Sequence, residues 1–294
     1  VDVGSISTNV VAIDQEKRLL ARRYLLTAGR PIEAVRKGLE EIGEEIGDLI
    51  LVRGVATTGS GRYMIGDLIG ADVVVNEITA QARASVEIDP EVDTIFEIGG
   101  QDSKYISIEN GAIVDFEMNK VCAAGTGSFL EEQAERLNIS IKDEFGKIAL
   151  SARNPAPLGE RCTVFMGSDL VSHQQKGIGS DDLVAGLSYS IVYNYLNRVV
   201  QEKRVGDRVF FQGAVAFNQG VVAAFDKVLG KPVTVPPNHD VTGAIGAAII
   251  SLERSQGGPS RFKGFDFSRR SYETSSFECQ GCSNCCEIRL SLIH

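Results

Sequence analysis

The chain has 294 residues, 43% hydrophobic and 23% charged, enough for two modest domains with real cores. Its 30 Lys and Arg against 39 Asp and Glu leave a formal net charge of −9, which opposes extended contact with a phosphate backbone and argues against nucleic-acid binding. No run approaches the roughly eighteen apolar residues of a membrane span, and the opening VDVGSIS carries no leader pattern, so a cytoplasmic protein without a membrane partner is expected.

The first residues, VDVGSISTNVVAID, read as a strand, a Gly-Ser turn and a second strand, with RLLARRYLL as a third. Residues 31–48 place Ile32, Val35, Leu39, Ile42 and Ile46 at helical spacing behind Pro31, predicting a helix with a solvated acidic face. LVRGVATTG then reads as a buried strand, GRYMIGDLIG as a short helix, ADVVVNE as a strand and ITAQARASVEI as a helix, a βαβα alternation expected of a mixed sheet covered by helices. After Pro90 the opening pattern restarts: TIFEIGGQDSKYISIENGAIVDFEMN is strand, Gly-Gly turn, strand, Asn-Gly turn and strand, which suggests a duplicated subdomain.

Helices are expected near 126–138, 167–176, 181–203, 218–229 and 240–254, with RVFFQG and PVTVPP as strands. Beyond Ser255 the composition turns to Gly, Ser, Arg and Phe without period and reads as a linker to a cysteine-rich tail. The chain opens without Met inside an apparent strand and stops at LSLIH, which reads as one module of something longer. The expected division is 1–92 for a first subdomain with helix 239–255 packing back on it, 93–238 for a second, and 256–294 for linker and tail.

Two short glycine turns occupy matching places in the two halves. Asp2-Val3-Gly4-Ser5 can aim consecutive N–H groups at an anion while its carboxylate holds a metal through water, although a plain hairpin uses the same residues. Ile98-Gly99-Gly100-Gln101-Asp102 repeats the arrangement, and TGAIGAAI (242–249) opens the last helix with small residues that allow close packing.

Six cysteines divide unevenly. Cys122 stands before the Gly-Thr-Gly turn of KVCAAGTGSFLEE, Cys162 lies in GERCTVFMGSD, and Cys279, Cys282, Cys285 and Cys286 crowd the tail. Sparse cysteines beside glycine and clustered ones at C-x2-C spacing point to metal or redox chemistry in a reducing compartment. The bland reading of Cys122 and Cys162 is two small buried hydrophobes. The tail spacing suits zinc or an iron–sulfur centre but is compact for one tetrahedral shell. His173, His239, Lys104 and Arg62 read more simply as helix-surface, cap or surface-charge residues.

DVGSIST, ATTGSGR, IGGQDSK, CAAGTGSFLE, CTVF and GAVAFN together resemble, over about residues 1–255, the ATP-dependent activator (reductase) proteins of 2-hydroxyacyl-CoA dehydratases, the BadF/BadG/BcrA/BcrD ATPase family. Relatives in that family serve benzoyl-CoA reductase and double-cubane cluster proteins. The resemblance implies an α/β fold of the actin, hexokinase and Hsp70 type, with two RNase H-like subdomains closing on ATP or ADP and Mg2+. It implies that Asp2, Gly4 and Ser5 meet the phosphates, that Gly99 and Gly100 form the second loop, and that Gln101 or Asp102 orients the attacking water or the metal shell. Gly213 and Asn218 would lie by the adenosine.

It further implies that Cys122 and Cys162 hold one [4Fe–4S] cluster shared across a homodimer, since one chain supplies two of four thiolates. The electron donor would be ferredoxin or flavodoxin, and the acceptor a partner iron–sulfur dehydratase or reductase. Free N–H groups of the first helical turn after Cys122 would stabilise the thiolate and the charge added on reduction. Two departures stand out: Glu97 where actin-like folds usually carry Asp, and Gln212-Gly213-Ala214 in place of Gly-Gly-Val. A sugar or small-molecule kinase on the same fold, or a nucleotide-switched assembly protein with a zinc tail, are the rival expectations.

Overall fold

The structure, a computed structural model, describes residues 1–120, 123–255, 257–266, 272–282 and 287–293. The chain divides into two compact units, Val1–Val75 with Ala247–His294, and Asn76–Gly246.

In the first unit, β1 (Asp2–Val3), β2 (Ser7–Ile13) and β3 (Leu19–Leu26) form an antiparallel meander in that order. β4 (Ala56–Thr57) and β5 (Val73–Val74) pair in parallel, and a parallel bridge between Asp2 and Thr58 links the two sets. Helix α1 (Pro31–Ile46) starts at its proline and buries Ile32, Val35, Leu39 and Ile42, the stripe that its periodicity foretold. Helix α2 (Arg62–Ile69) buries Ile65, Leu68 and Ile69 and stops at Gly70 in the left-handed conformation.

The strand expected over LVRGVATTG shrinks to Ala56–Thr57, and Leu51 is 71% exposed. Its continuation is diverted: the Val55 N–H donates to the Asp72 carboxylate, 2.9 Å, instead of to a strand. The segment read as a linker is also held. The Ser260 hydroxyl and Arg261 N–H donate to Asp72 at 2.5 and 2.8 Å, and Phe262 and Phe265 join the core formed with α1.

The second unit is built on a four-stranded sheet of β6 (Thr94–Ile98), β7 (Ser103–Glu109), β8 (Ala112–Met118) and β9 (Val209–Gln212), ordered β8-β7-β6-β9 with only β6–β9 parallel. β6 is central and buried at every position, the reason its sequence TIFEI lacks polar alternation. One face carries Phe96, Tyr105 and Phe211, which meet Tyr195 and Phe225 in a cluster with ring centroids 4.8–5.8 Å apart at its closest pairs. The other carries Ile95, Ile106, Ile108 and Phe210 beneath Ile78 and Ala82 of α3 (Glu77–Ile88). The two-residue period of the strands sorts these sets to opposite faces. Packing of α3 on this sheet explains why the unit begins at Asn76, the cap that accepts the Ile78 N–H, and not near residue 93.

The remaining helices are α4 (Gly127–Arg136), α5 (Phe145–Ser151), α6 (Thr163–Gln175), α7 (Ser180–Tyr195), α8 (Gln219–Leu229) and α9 (Thr242–Arg254). α5 was not expected, and α6 starts at Thr163 instead of near 167. PVTVPP contributes only a bridge from Thr234 to Phe210. The tail adds an unforeseen antiparallel hairpin, β10 (Tyr272–Glu278) and β11 (Glu287–Ile293), paired from Tyr272↔Ile293 to Glu278↔Glu287. Among the described residues no helix is long and apolar enough to cross a membrane.

Candidate functional site

In the first unit the turn between β1 and β2 is closed by the Gly4 N–H donating to the Ser7 carbonyl, 2.9 Å, and braced by the Thr27 hydroxyl on the Gly4 carbonyl, 2.9 Å. Gly4 is half-buried and Ser5 exposed. Gly59-Ser60-Gly61 wraps the turn from behind: the Gly61 N–H and Ser60 hydroxyl both donate to the Val3 carbonyl. Gly59 has φ +87°, and a Cβ there would lie 2.4 Å from that carbonyl oxygen and 2.6 Å from Asp2 Oδ1. Only glycine lets the backbone press on the turn, so ATTGSGR supports Asp2 and Gly4 from outside the motif that contains them. An apolar cavity of about 440 Å³ in this unit is lined by Val10, Ile13, Ile42, Leu51, Leu252 and Phe265 among others, but not by Gly4 or Ser5.

In the second unit the β6–β7 turn brings Gly99, Gly100, Gln101 and Asp102 together, the last two exposed. The Gly99 N–H donates to the Asp102 carbonyl, 2.9 Å. Both glycine carbonyls are taken by the first turn of α4: Gly127 N–H donates to Gly99 at 2.8 Å, and Ser128 donates to Gly100 through its N–H, 2.8 Å, and its hydroxyl, 2.6 Å. Gly213, at the end of β9 with φ +91°, sits against the same turn, where a Cβ would lie 2.4 Å from the Ile98 carbonyl oxygen. Its N–H donates to the His239 carbonyl, and the His239 ring bonds back to the Gly213 carbonyl at 3.0 Å, so His239 supports the glycine turn. Asn218 caps α8, its Oδ1 accepting from the N–H groups of Gly220 and Val221. Among the described residues its Nδ2 is buried without a partner. A buried donor in that condition costs roughly 1–3 kcal/mol, and it is available to a ligand acceptor.

Lys104 corrects the surface reading. It is 5% exposed, and its Nζ lies 2.9 Å from Glu97 Oε2 and 3.3 Å from Glu77 Oε2. Burial works against its ammonium, but the charges of Glu97 and Glu77 outweigh it and hold the group above the ordinary lysine range. Burial pushes the Glu97 carboxyl up, with Lys104 pulling against it. Arg62 is half-buried, donates to the Gly59 carbonyl at 3.0 Å and stacks over Tyr63.

Cys122 lies outside the described residues. The loop after it is pinned: Gly125, φ +92°, packs on the backbone of Tyr195, and Thr126 donates its N–H and hydroxyl to the Ala123 carbonyl. Cys162 is a half-buried free thiol at the N-cap of α6. Its approach is held by Ser190, whose hydroxyl donates to the Gly159 carbonyl at 2.7 Å. The buried Gln133 of α4 donates to the Thr163 carbonyl, 3.1 Å, tying α4 to the residue after Cys162. In the tail, Cys279 and Cys282 are free thiols, and the Gly281 N–H points at Cys279 Sγ, 3.4 Å; Cys285 and Cys286 lie outside the described residues. Among the described residues no three His, Cys, Asp or Glu side chains converge as a metal site.

Glycine turns at matching places of two meander-bearing units are the arrangement of the actin and hexokinase fold. A ROK family glucokinase from Streptomyces griseus shares that fold at TM-score 0.51 and 13% identity. Within this class the chain belongs to the BadF/BadG/BcrA/BcrD ATPase family, whose model matches residues 1–251. It is 34% identical over 260 residues to the activator of lactoyl-CoA dehydratase from Anaerotignum propionicum, covering 87% of this chain and 97% of that one. It is 30% identical to the (R)-2-hydroxyglutaryl-CoA dehydratase activating ATPase of Acidaminococcus fermentans over 87% and 96% of the two chains. The solved activator of the 2-hydroxyisocaproyl-CoA dehydratase from Clostridium difficile, with bound ADPNP, superposes at TM-score 0.77 with 30% identity, over 87% of this chain and 94% of that one.

Proposed function

We propose that this ATPase is a one-electron reductase: it hydrolyses ATP to ADP and phosphate to drive a low-potential electron, taken from ferredoxin or flavodoxin, into the iron–sulfur centre of a partner enzyme. The names of its relatives support a 2-hydroxyacyl-CoA dehydratase as that partner, and a benzoyl-CoA reductase as the alternative. The observation that carries the coupling is the bolt between the Gly99-Gly100 turn and the first turn of α4, the helix that follows Cys122. Movement of the turn on nucleotide exchange must move that helix start, because three hydrogen bonds join them, and Gln133 passes the displacement to the start of α6 beside Cys162.

In this reading Asp2, Gly4 and Ser5 meet phosphate and Mg2+, Gly99 and Gly100 form the second phosphate turn, and Gln101 and Asp102, both solvent-facing, orient the attacking water. Gly213 and the unpartnered amide of Asn218 receive the adenosine. Cys162, and Cys122 from sequence, fit a [4Fe–4S] cluster as thiolate ligands at helix starts, where backbone N–H groups favour negative charge. Such a cluster supplies a reversible one-electron store. One chain offers two of its four ligands, so a two-fold homodimer is required; Val164 and Phe165, 71% and 66% exposed on the first turn of α6 next to Cys162, support an apolar contact there. A second zinc or iron–sulfur site is assigned to Cys279, Cys282, Cys285 and Cys286.

Anaerobic purification with iron and sulfide analysis, and electron paramagnetic resonance of the dithionite-reduced protein with and without ATP, test the reading. About four body irons per dimer and an ATP-sensitive signal lost in Cys162→Ala are expected. The reading fails if Cys162→Ala keeps the signal or if iron-free protein delivers electrons.

A further inference from the structure

Glu97 and Lys104 face each other across the β6–β7 pair, and both are almost completely buried. Removing two charges from water costs several kcal/mol per ion, rarely repaid in stability by a lone pair. The pair is also anchored beyond what packing needs: the Tyr195 hydroxyl donates to the Lys104 carbonyl, 2.8 Å, and Glu77 at the start of α3 lies 3.3 Å from the ammonium. The two oxygens of Glu97 differ. Oε2 is taken by Lys104 at 2.9 Å, while Oε1 occupies space left by missing side chains, 3.3 Å from where a Cβ of Gly99 would stand and 3.0 Å from that of Gly213. Those are the two glycines of the assigned phosphate and adenosine turns.

We propose that Lys104 is a positioning residue for MgATP: with Glu77 it clamps Glu97 by Oε2 so that Oε1 is held, as a carboxylate, between the Gly99 and Gly213 turns to accept from the hydrated Mg2+ of the nucleotide. The longer Glu at position 97 calls for such a clamp, since its extra rotatable bond would otherwise let the carboxylate swing out of line. Lys104 itself touches neither nucleotide nor metal. This inference rests on the reading of Gly99–Asp102 as a phosphate turn.

The test compares wild type, Lys104→Met, Lys104→Arg and the charge-neutral double variant Lys104→Met with Glu97→Gln. Three quantities are read: the Mg2+ concentration for half-maximal ATPase, kcat, and binding of a fluorescent ATP analogue in EDTA. Loss of an outer partner of a metal-facing group typically weakens metal use about 10–100-fold. Lys104→Met is therefore expected to raise the Mg2+ requirement at least about tenfold, with metal-free nucleotide binding within about twofold of wild type. Lys104→Arg should recover most of it, because its guanidinium reaches the same two carboxylates. The double variant, which leaves only the partly exposed Glu77 without the Lys104 charge, is expected to fold even where the single one does not and should share the Mg2+ defect. An unchanged Mg2+ requirement in either Met variant, or an equal loss of metal-free binding, overturns the clamp. A wild-type protein that binds no nucleotide instead overturns the site reading beneath it.

Discussion

Gly246→Ala sets two effects of opposite sign against each other. Helix propensity alone favours alanine inside α9 by about 1 kcal/mol. Against this, a Cβ at Gly246 would stand 1.8 Å from the Ala80 carbonyl oxygen, 2.6 Å from its carbon and 3.0 Å from its Cα. Ordinary carbon contacts begin near 3.5 Å, so the α3 and α9 backbones must part by roughly 1.5 Å. Overpacking costs typically ~1–3 kcal/mol, and the upper end applies because the obstacle is backbone and cannot rotate away. Separation also strains the buried Gln81, whose Oε1 accepts from Gln212 Nε2 at 2.7 Å and from the Thr242 hydroxyl at 2.6 Å; weakening these adds about 1 kcal/mol each. The net expectation is a loss of about 4 kcal/mol, which for a chain of this size lowers Tm by roughly 8–16 °C. Thermal melting followed by circular dichroism, beside the control Gly258→Ala, where a Cβ meets nothing within 4 Å, measures it. A Gly246→Ala protein as stable as wild type would refute the close crossing.

Three further outcomes are expected. Ser128→Ala removes the hydroxyl bond to Gly100 and leaves the N–H bond, so ATPase turnover should stay near wild type while electrons delivered per ATP fall; equal coupling ratios would deny α4 its transmitting role. Asn218→Ala removes the cap of α8 at a cost of about 1 kcal/mol and removes the unpartnered amide, so urea melts should shift modestly and KM for ATP should rise. At Asp72, burial opposes ionisation, yet the Arg261 N–H, the Ser260 hydroxyl and the Val55 N–H together hold the carboxyl below its ordinary value of 3.8. A depressed folded value means stability present above 3.8 and lost as pH falls through the lower folded one. Asp72→Asn should therefore melt below wild type at neutral pH, and the gap should close in acid.

Much of the candidate site was legible in the chain because its signals are local. The apolar stripe of α1, the glycine turns at Gly4 and Gly99, and the thiols before α4 and α6 are set by neighbours within a few residues, and combined motifs name the family. α5 escaped because FGKIALS is a single short amphipathic stretch that becomes a helix by packing on α7 and α8, not by propensity. Lys104 escaped because a lysine in an exposed-looking strand declares nothing until hairpin register puts Glu97 opposite it.

The sequence by itself determined the apolar stripe of α1, which turns need glycine and which family the chain belongs to. Tertiary structure alone decided that Gly99 and Gly100 are bonded to the helix after Cys122, that Gly246 lies on Ala80, and that a lysine is buried between two glutamates. The division has one physical cause: propensity and periodicity act over a few residues, whereas register and close approach depend on surfaces brought together from distant parts of the chain.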